Sequence, residues 1–254
     1  MDNMNSTDNR TYELNIGHFY PDLLNLYGDR GNVLALYRRA SLRGIKVNIK
    51  SISIGDELNP EELDLCFIGG GQDNEQNILK DDFVKVKGPL IKSMIEDGKV
   101  FLCICGGYQM LGKYYLEHDG SKLECLGALD LYTEGADVRF INDTVYDYNG
   151  ISVVGFENHS GRTYLNPESE VKPFMKVIKG HGNNGEDGYE GAVYKNTFCT
   201  YSHGSFLPKN PAITDMLLTL ALSKKYGLDF VLAPLEDRYE ILAQKEALKY
   251  LGKE

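Results

Sequence analysis

The stretch FLCICGGYQMLG, Phe101 to Gly112, closes an apolar run on a cysteine and follows it at once with two glycines. A cysteine ending a buried strand is by default a small apolar filler, because free Cys is among the most buried residue types. Gly106 and Gly107 argue against that default, since they permit a sharp strand-to-helix turn that side chains would obstruct. Such a nucleophile elbow lifts Cys105 above the sheet edge and sets it at a helix N-terminus. Free N–H groups there favour thiolate, the nucleophilic form. Cys103 falls on the same strand face, but no second pair or nearby His completes a metal set at familiar spacing. Cys66, Cys125 and Cys199 read as filling.

A nucleophilic thiol needs a base, and five histidines compete. His203 ends the strand-like TFCTYSHG on a glycine turn, the same grammar as at Cys105, and leads on that ground. His18 follows the first apolar run, His118 sits in a polar stretch and His181 in the Gly/Asn-rich KGHGNNGEDG. His159, in GFENHSGRT, has a polar setting suited to substrate contacts.

The elements that must carry these residues alternate through the first half of the chain. Strands are predicted at Tyr12 to Phe19, Ile45 to Ile54, Leu63 to Ile68 and Lys99 to Ile104, with helices at Asn32 to Leu42 and about Phe83 to Glu96. Strict apolar-polar alternation in the second strand predicts one wetter face. This order argues a parallel α/β sheet, in which sites form at the strands' carboxyl ends. GGGQD, Gly69 to Asp73, supplies a second glycine-rich strand end. From Leu126 to Tyr201 the chain is richer in β-like segments, and helices at Pro211 to Tyr226 and Glu236 to Leu251 end it. In the last helix Leu235, Tyr239, Leu242 and Leu248 recur with helical period and read as core packing. With no repeat or long linker, residues 12–254 form one domain behind a loose polar tail, residues 1–11.

Composition narrows the partners. The 254 residues carry 27 Lys plus Arg against 37 Asp plus Glu, a net charge of -10 without a basic cluster, which argues against nucleic acid and anionic membranes. The longest apolar runs, such as Met216 to Leu222, fall far short of the roughly 20 residues of a spanning helix. An odd number of cysteines without framework spacing, and no apolar leader, predict a reducing, cytoplasmic setting.

CGGYQMLG around Cys105, GGGQD, GFENHSGRT, YSHGSFLPKNP from Tyr201 to Pro211 and the opening HFYPDLLNLYGDRGNVLALYRRA together resemble the class I glutamine amidotransferases. More narrowly they resemble the cobyric-acid-synthase-like branch and, within it, the glutaminase subunits of lipid II isoglutaminyl synthases. The resemblance covers nearly the whole chain after the tail and implies an α/β fold with a central, mostly parallel sheet flanked by helices.

It also implies roles. Cys105 matches the family's nucleophile, forming a glutamyl thioester and releasing ammonia, and His203 its general base. The N–H groups of Gly71 and Gly106 match its oxyanion hole, Gln109 resembles a residue holding the substrate glutamine, and Gln72 is a weaker counterpart. Arg139 matches a substrate-recognition arginine, and a guanidinium suits a free α-carboxylate bidentately. Many relatives carry a glutamate two positions after the catalytic histidine; Ser205 stands there, leaving Glu157 or Glu190 as orienting acids.

No P-loop motif occurs, so no cofactor is expected in this chain and no metal. The family resemblance assigns ATP and Mg to a MurT-type Mur ligase partner in a heterodimer. That partner would activate D-glutamate in the lipid II stem peptide and amidate it to D-isoglutamine. Two other readings stay open: a free-standing γ-glutamyl thiol hydrolase, and a non-catalytic subunit that stabilises a synthetase.

Overall fold

The computed structural model describes residues 11–117, 120–227 and 230–252. Most of the expected N-terminal tail and His118 lie outside the described residues. The four strands expected in the first half of the chain form: β1 (Glu13–Phe19), β2 (Lys46–Ile52), β3 (Leu65–Ile68) and β4 (Val100–Ile104). Four short or long strands follow, β5 (Tyr114–Leu116), β6 (Lys122–Glu124), β7 (Leu131–Tyr148) and β8 (Ile151–Leu165). The last are β9 (Met175–Lys179), β10 (Tyr189–Glu190), β11 (Ala192–Tyr194) and β12 (Thr197–Thr200). Helices are α1 (Arg30–Ser41), α2 (Asp73–Asp81), α3 (Gly88–Glu96), α4 (Gly106–Leu111), α5 (Pro211–Tyr226) and α6 (Arg238–Tyr250).

The first sheet runs β11-β12-β4-β3-β1-β2. Every pair from β12 to β2 is parallel, and only β11 is antiparallel. Every residue of β3, β4 and β12 is buried, while β2 is a largely solvated edge, as its alternation predicts. Register aligns the carboxyl ends: Phe19 faces Ile68, Ile68 faces Cys103 and Ile104 faces Thr200. The loops after β1, β3, β4 and β12 therefore leave from one edge, and they carry Asp29, the glycine triplet, Cys105 and His203.

The second sheet has the order β10-β9-β7-β5-β6, with β8 paired to β7 in a long hairpin. Its turn is Asn149-Gly150, both at positive φ (51 and 86), the combination a two-residue hairpin turn requires. The β7–β8 register shifts between Gly135 and Phe140, so the strand bulges beside Arg139. Apolar residues of both sheets join one contiguous core cluster.

Two helical expectations change. The helix predicted from about Phe83 begins instead as α2, then passes through a π-helical turn at Asp82–Val86 before α3. The kink is built around a buried ion pair: Lys87 donates to Asp82 at 2.5 Å, and the Tyr20 hydroxyl donates to the same carboxylate at 2.8 Å. That ties the loop after β1 to the helical layer. The apolar stripe of α6 is not core: no residue of the helix is buried, and Tyr239 and Leu242 are 76% and 53% exposed. Polar anchors hold it instead, with Arg39 bridging Asp215 and Asp237 at 2.6 Å.

Candidate active site

Cys105 joins β4 to α4 at φ 47, ψ -102, a region that costs a non-glycine residue on the order of 1–3 kcal/mol. The surroundings over-determine it. Its N–H donates to Thr200 O at 2.9 Å and its carbonyl accepts from the Gln109 N–H at 2.9 Å. Next along the chain, a Cβ on Gly106 would lie 3.0 Å from the Gly71 nitrogen, and one on Gly107 would lie 2.7 Å from Ile68. The glycines predicted to make an elbow thus do more: they let the turns after β3 and β4 interlock, with the backbones of Gly71 and Gly106 side by side.

His203, fully buried just past β12, is fixed through its N–H, which donates to Phe156 O at 2.7 Å. Its Nδ1 lies 3.4 Å from Asp29 Oδ2. Catalytic contacts of this kind commonly tighten only when substrate is bound. Burial opposes charging the imidazole, but the Cys105 sulfur and the Asp29 carboxylate beside it outweigh burial and raise its pKa above the ordinary histidine value.

This carboxylate is neither Glu157 nor Glu190, the two acids the sequence offers. Glu157 is engaged elsewhere, accepting from His181 Nδ1 at 2.6 Å and from the backbone N–H groups of His181 and Gly182. Glu190 accepts from the Thr200 hydroxyl and the Tyr201 N–H. Asp29, buried in the loop before α1, meets His203 instead, and its Oδ2 accepts from Gly70 N at 2.8 Å. Gly70 must be glycine for this to work, because a Cβ would sit 2.6 Å from His203 Cε1 and 3.1 Å from Asp29 Oδ2. Ser205, two positions after His203, donates its hydroxyl to Gly28 O at 2.7 Å and so pins the peptide just ahead of Asp29. The one sequence signal was the GDRGN turn, which names no partner.

A cavity of about 200 Å³ opens on Cys105, and Gly71, Gln72, Gln109 and Arg139 line it together. Gln109 is buried; its Nε2 donates to the Tyr201 hydroxyl at 3.2 Å and its Oε1 accepts from Gln76 at 3.3 Å. Gln76, absent from the sequence expectations, lines the same wall. Gln72 precedes α2 with an exposed side chain, and its N–H donates to Glu75 at 2.9 Å. Arg139 stands exposed on the bulge of β7, 3.5 Å from Asn158 Oδ1, and Asn158 in turn donates to the Tyr27 hydroxyl at 2.6 Å. A larger apolar cavity of about 320 Å³, beneath α6, is lined by Val154, Pro208 and Ala247 and contains no thiol or imidazole. The thiol of Cys105 marks the smaller cavity as the candidate site.

The remaining histidines separate cleanly. Burial pushes His18 down to about 4, and His181 is paired with Glu157. Cys103 and Cys199 face each other across β4 and β12, and burial pushes the Cys103 thiol well up. Among the described residues no cluster of three metal-ligating side chains occurs. Among them, too, no helix is long and apolar enough to cross a membrane.

The CobB/CobQ-like glutamine amidotransferase domain family matches residues 15–211. The lipid II isoglutaminyl synthase (glutamine-hydrolyzing) subunit GatD of Staphylococcus aureus is 46% identical over 92% of this chain and 94% of its own length. The GatD subunit of Streptococcus pneumoniae is 42% identical over 95% of this chain and 92% of its own length. A solved glutamine amidotransferase of Thermotoga maritima, 17% identical, superposes with a TM-score of 0.52 over 93% of this chain and 90% of its own, a likeness of fold. The mixed α/β architecture and the expected family hold: this chain belongs to the CobB/CobQ-like glutamine amidotransferases, in the group of the GatD subunits.

Proposed function

We propose that this chain hydrolyses L-glutamine through a thioester on Cys105 and delivers the ammonia to an ATP-dependent ligase partner that amidates lipid II. One observation carries the reading: a strained thiol at an elbow, a buried His–Asp pair against it and two interlocked glycine turns all meet at one cavity. The substrate and acceptor follow from the names of the GatD relatives, which match this chain nearly end to end.

The steps use groups already described. His203 takes the proton of Cys105, and the sulfur attacks the side-chain amide carbon of glutamine. The developing oxyanion is met by the N–H groups of Gly71 and Gly106. Collapse breaks the C–N bond, and the imidazolium gives its proton to the leaving nitrogen, releasing ammonia. His203 then deprotonates a water that cleaves the thioester to glutamate. Asp29 acts as a positioning residue that orients the imidazole and stabilises its charged form. Arg139 pairs with the α-carboxylate, while Gln109 and Gln72 hold the amide-bearing chain.

Activating a carboxylate for amidation needs ATP, so ATP and Mg belong to the partner, a Mur ligase of the MurT type in a heterodimer. A cytoplasmic site of action follows from that partnership. The test is ammonia release from L-glutamine by the purified chain, alone and with its co-purified ligase. We expect release that rises with the partner and disappears in Cys105→Ala; undiminished release from Cys105→Ala would sink the assignment. Partner-independent cleavage of γ-glutamyl peptides would favour the free-standing hydrolase.

A further inference from the structure

His159 has no role in the steps above, yet its ring forms part of the same cavity wall as Cys105. The side chain is 2% exposed and held on several sides. One face stacks on Tyr201 at 3.7 Å between centroids and 8° between planes, and Phe140 meets it edge-on at 5.7 Å. Its Nδ1 lies 2.8 Å from Gly161 O. A carbonyl can only accept, so Nδ1 carries the ring proton and Nε2 is left as a bare lone pair. Burial, reinforced by the cationic Arg162, His203 and Arg139, keeps the ring neutral by lowering its pKa to about 3.

That lone pair has no protein partner. Among the described residues lining the cavity, it is the one buried side-chain atom so left, because Gln76 and Gln109 bond each other and Gln109 also bonds Tyr201. A buried acceptor without a donor costs free energy, and the cost is recovered when a ligand supplies the donor.

We infer that His159 Nε2 accepts a hydrogen bond from an N–H of the bound amino-acid amide, making His159 a substrate-positioning residue. This rests on the glutaminase reading. Glutamine offers two such donors, the α-ammonium and the side-chain amide. A contact to the amide gives selectivity, since a fixed acceptor welcomes N–H and repels the side-chain carboxylate oxygens of glutamate, the product; a contact to the α-ammonium, which glutamate shares, anchors the amino acid.

The test uses the full chain with its co-purified ligase. His159→Asn keeps a donor toward Gly161 O but removes the acceptor, His159→Phe keeps only the stacked ring, and His159→Gln returns an oxygen near Nε2. Expected is a KM for glutamine raised about tenfold in the Asn and Phe variants and largely restored in Gln. Alkylation of Cys105 by iodoacetamide should stay at the wild-type rate. Inactivation by 6-diazo-5-oxo-L-norleucine, which keeps the α-ammonium but has no amide N–H, separates the sources. Slowing in His159→Asn assigns the α-ammonium, and an unchanged rate with raised KM assigns the amide.

An unchanged KM in His159→Asn, with wild-type turnover intact, overturns the inference. Two readouts do not depend on turnover, and the second leaves His159 in place. Calorimetric binding of glutamine to Cys105→Ala should weaken about tenfold on adding His159→Asn. In nitrogen-labelled Cys105→Ala, the unprotonated His159 resonance should move on glutamine addition; a static resonance with glutamine demonstrably bound also refutes it. Failure of the glutaminase reading shows separately, as wild-type chain and complex that release no ammonia.

Discussion

Two buried carboxylates in this molecule each hold a histidine, and the better-bonded pair is not the one beside the thiol. Glu157 meets His181 at 2.6 Å and also takes two backbone N–H groups, yet that imidazole stacks on Phe140 and does not line the cavity at Cys105. Asp29 stands 3.4 Å from His203 and leaves its Oδ1 without a protein partner, yet it lies against the residue that contacts Cys105. Saturated hydrogen bonding makes a rivet between β8 and the loop after β9. Incomplete bonding leaves His203 able to exchange a proton. A static count of contacts would rank the pairs the wrong way round.

Mutations at matching positions should separate them. The largest contrast is at the histidines: His203→Ala should lower kcat on the order of 10²–10⁴-fold, as loss of a general base does, whereas His181→Ala should leave turnover near wild type. Single-turnover ammonia release from both variants reads the difference, and equal losses would collapse it. Next come the carboxylates. Asp29→Asn should lower kcat about 10- to 100-fold, less than the loss in serine enzymes because a thiol ionises more readily.

The same change has a pH signature. Asp29 helps raise the His203 pKa, so the imidazolium persists toward alkaline pH and is lost as pH rises through that value. Removing the carboxylate lowers it, and the alkaline limb of kcat/KM should move to lower pH; a stationary limb would deny Asp29 its orienting role. Glu157→Gln should instead cost about 1–3 kcal/mol of unfolding stability with kcat nearly intact.

Smaller effects lie outside the pairs. Arg139→Ala should raise KM for glutamine about tenfold, the exposed setting tempering the charge-assisted contact, with kcat less affected. Glu190 is pushed up to about 7 by burial. It is therefore protonated in the fold while ionised in the unfolded chain, and stability should fall as pH rises from the ordinary carboxyl range to about 7. Glu190→Gln should flatten that slope in melting curves recorded across the interval.

What was legible in the sequence followed from local grammar. The strands stood out as short apolar or alternating runs, three of them adjoining glycine, and the elbow because Gly106 and Gly107 adjoin a thiol. The family motifs drew Gly71, Gln72, Gln109 and Arg139 toward one cavity, where the fold has brought them. Helix α2 was hidden because NEQNILK offers few apolar positions, and its exposed Ile78 adds nothing to a buried face. The stripe of α6 was legible but its partner was not, since periodicity tells which residues share a face and not what covers it. Asp29 escaped because its relation to His203 is purely three-dimensional, arising from parallel strands whose ends share an edge.

The spread of those three residues along the chain has a consequence for synthesis. Asp29 is made early, Cys105 midway and His203 near the end, and β12, which leads to His203, joins the sheet beside β4 only after the intervening hairpin has been made. A ribosome-bound chain therefore carries Cys105 through the making of β5 to β12 before His203 exists to stand beside it. The three side chains of the proposed reaction thus meet only when the fold is complete.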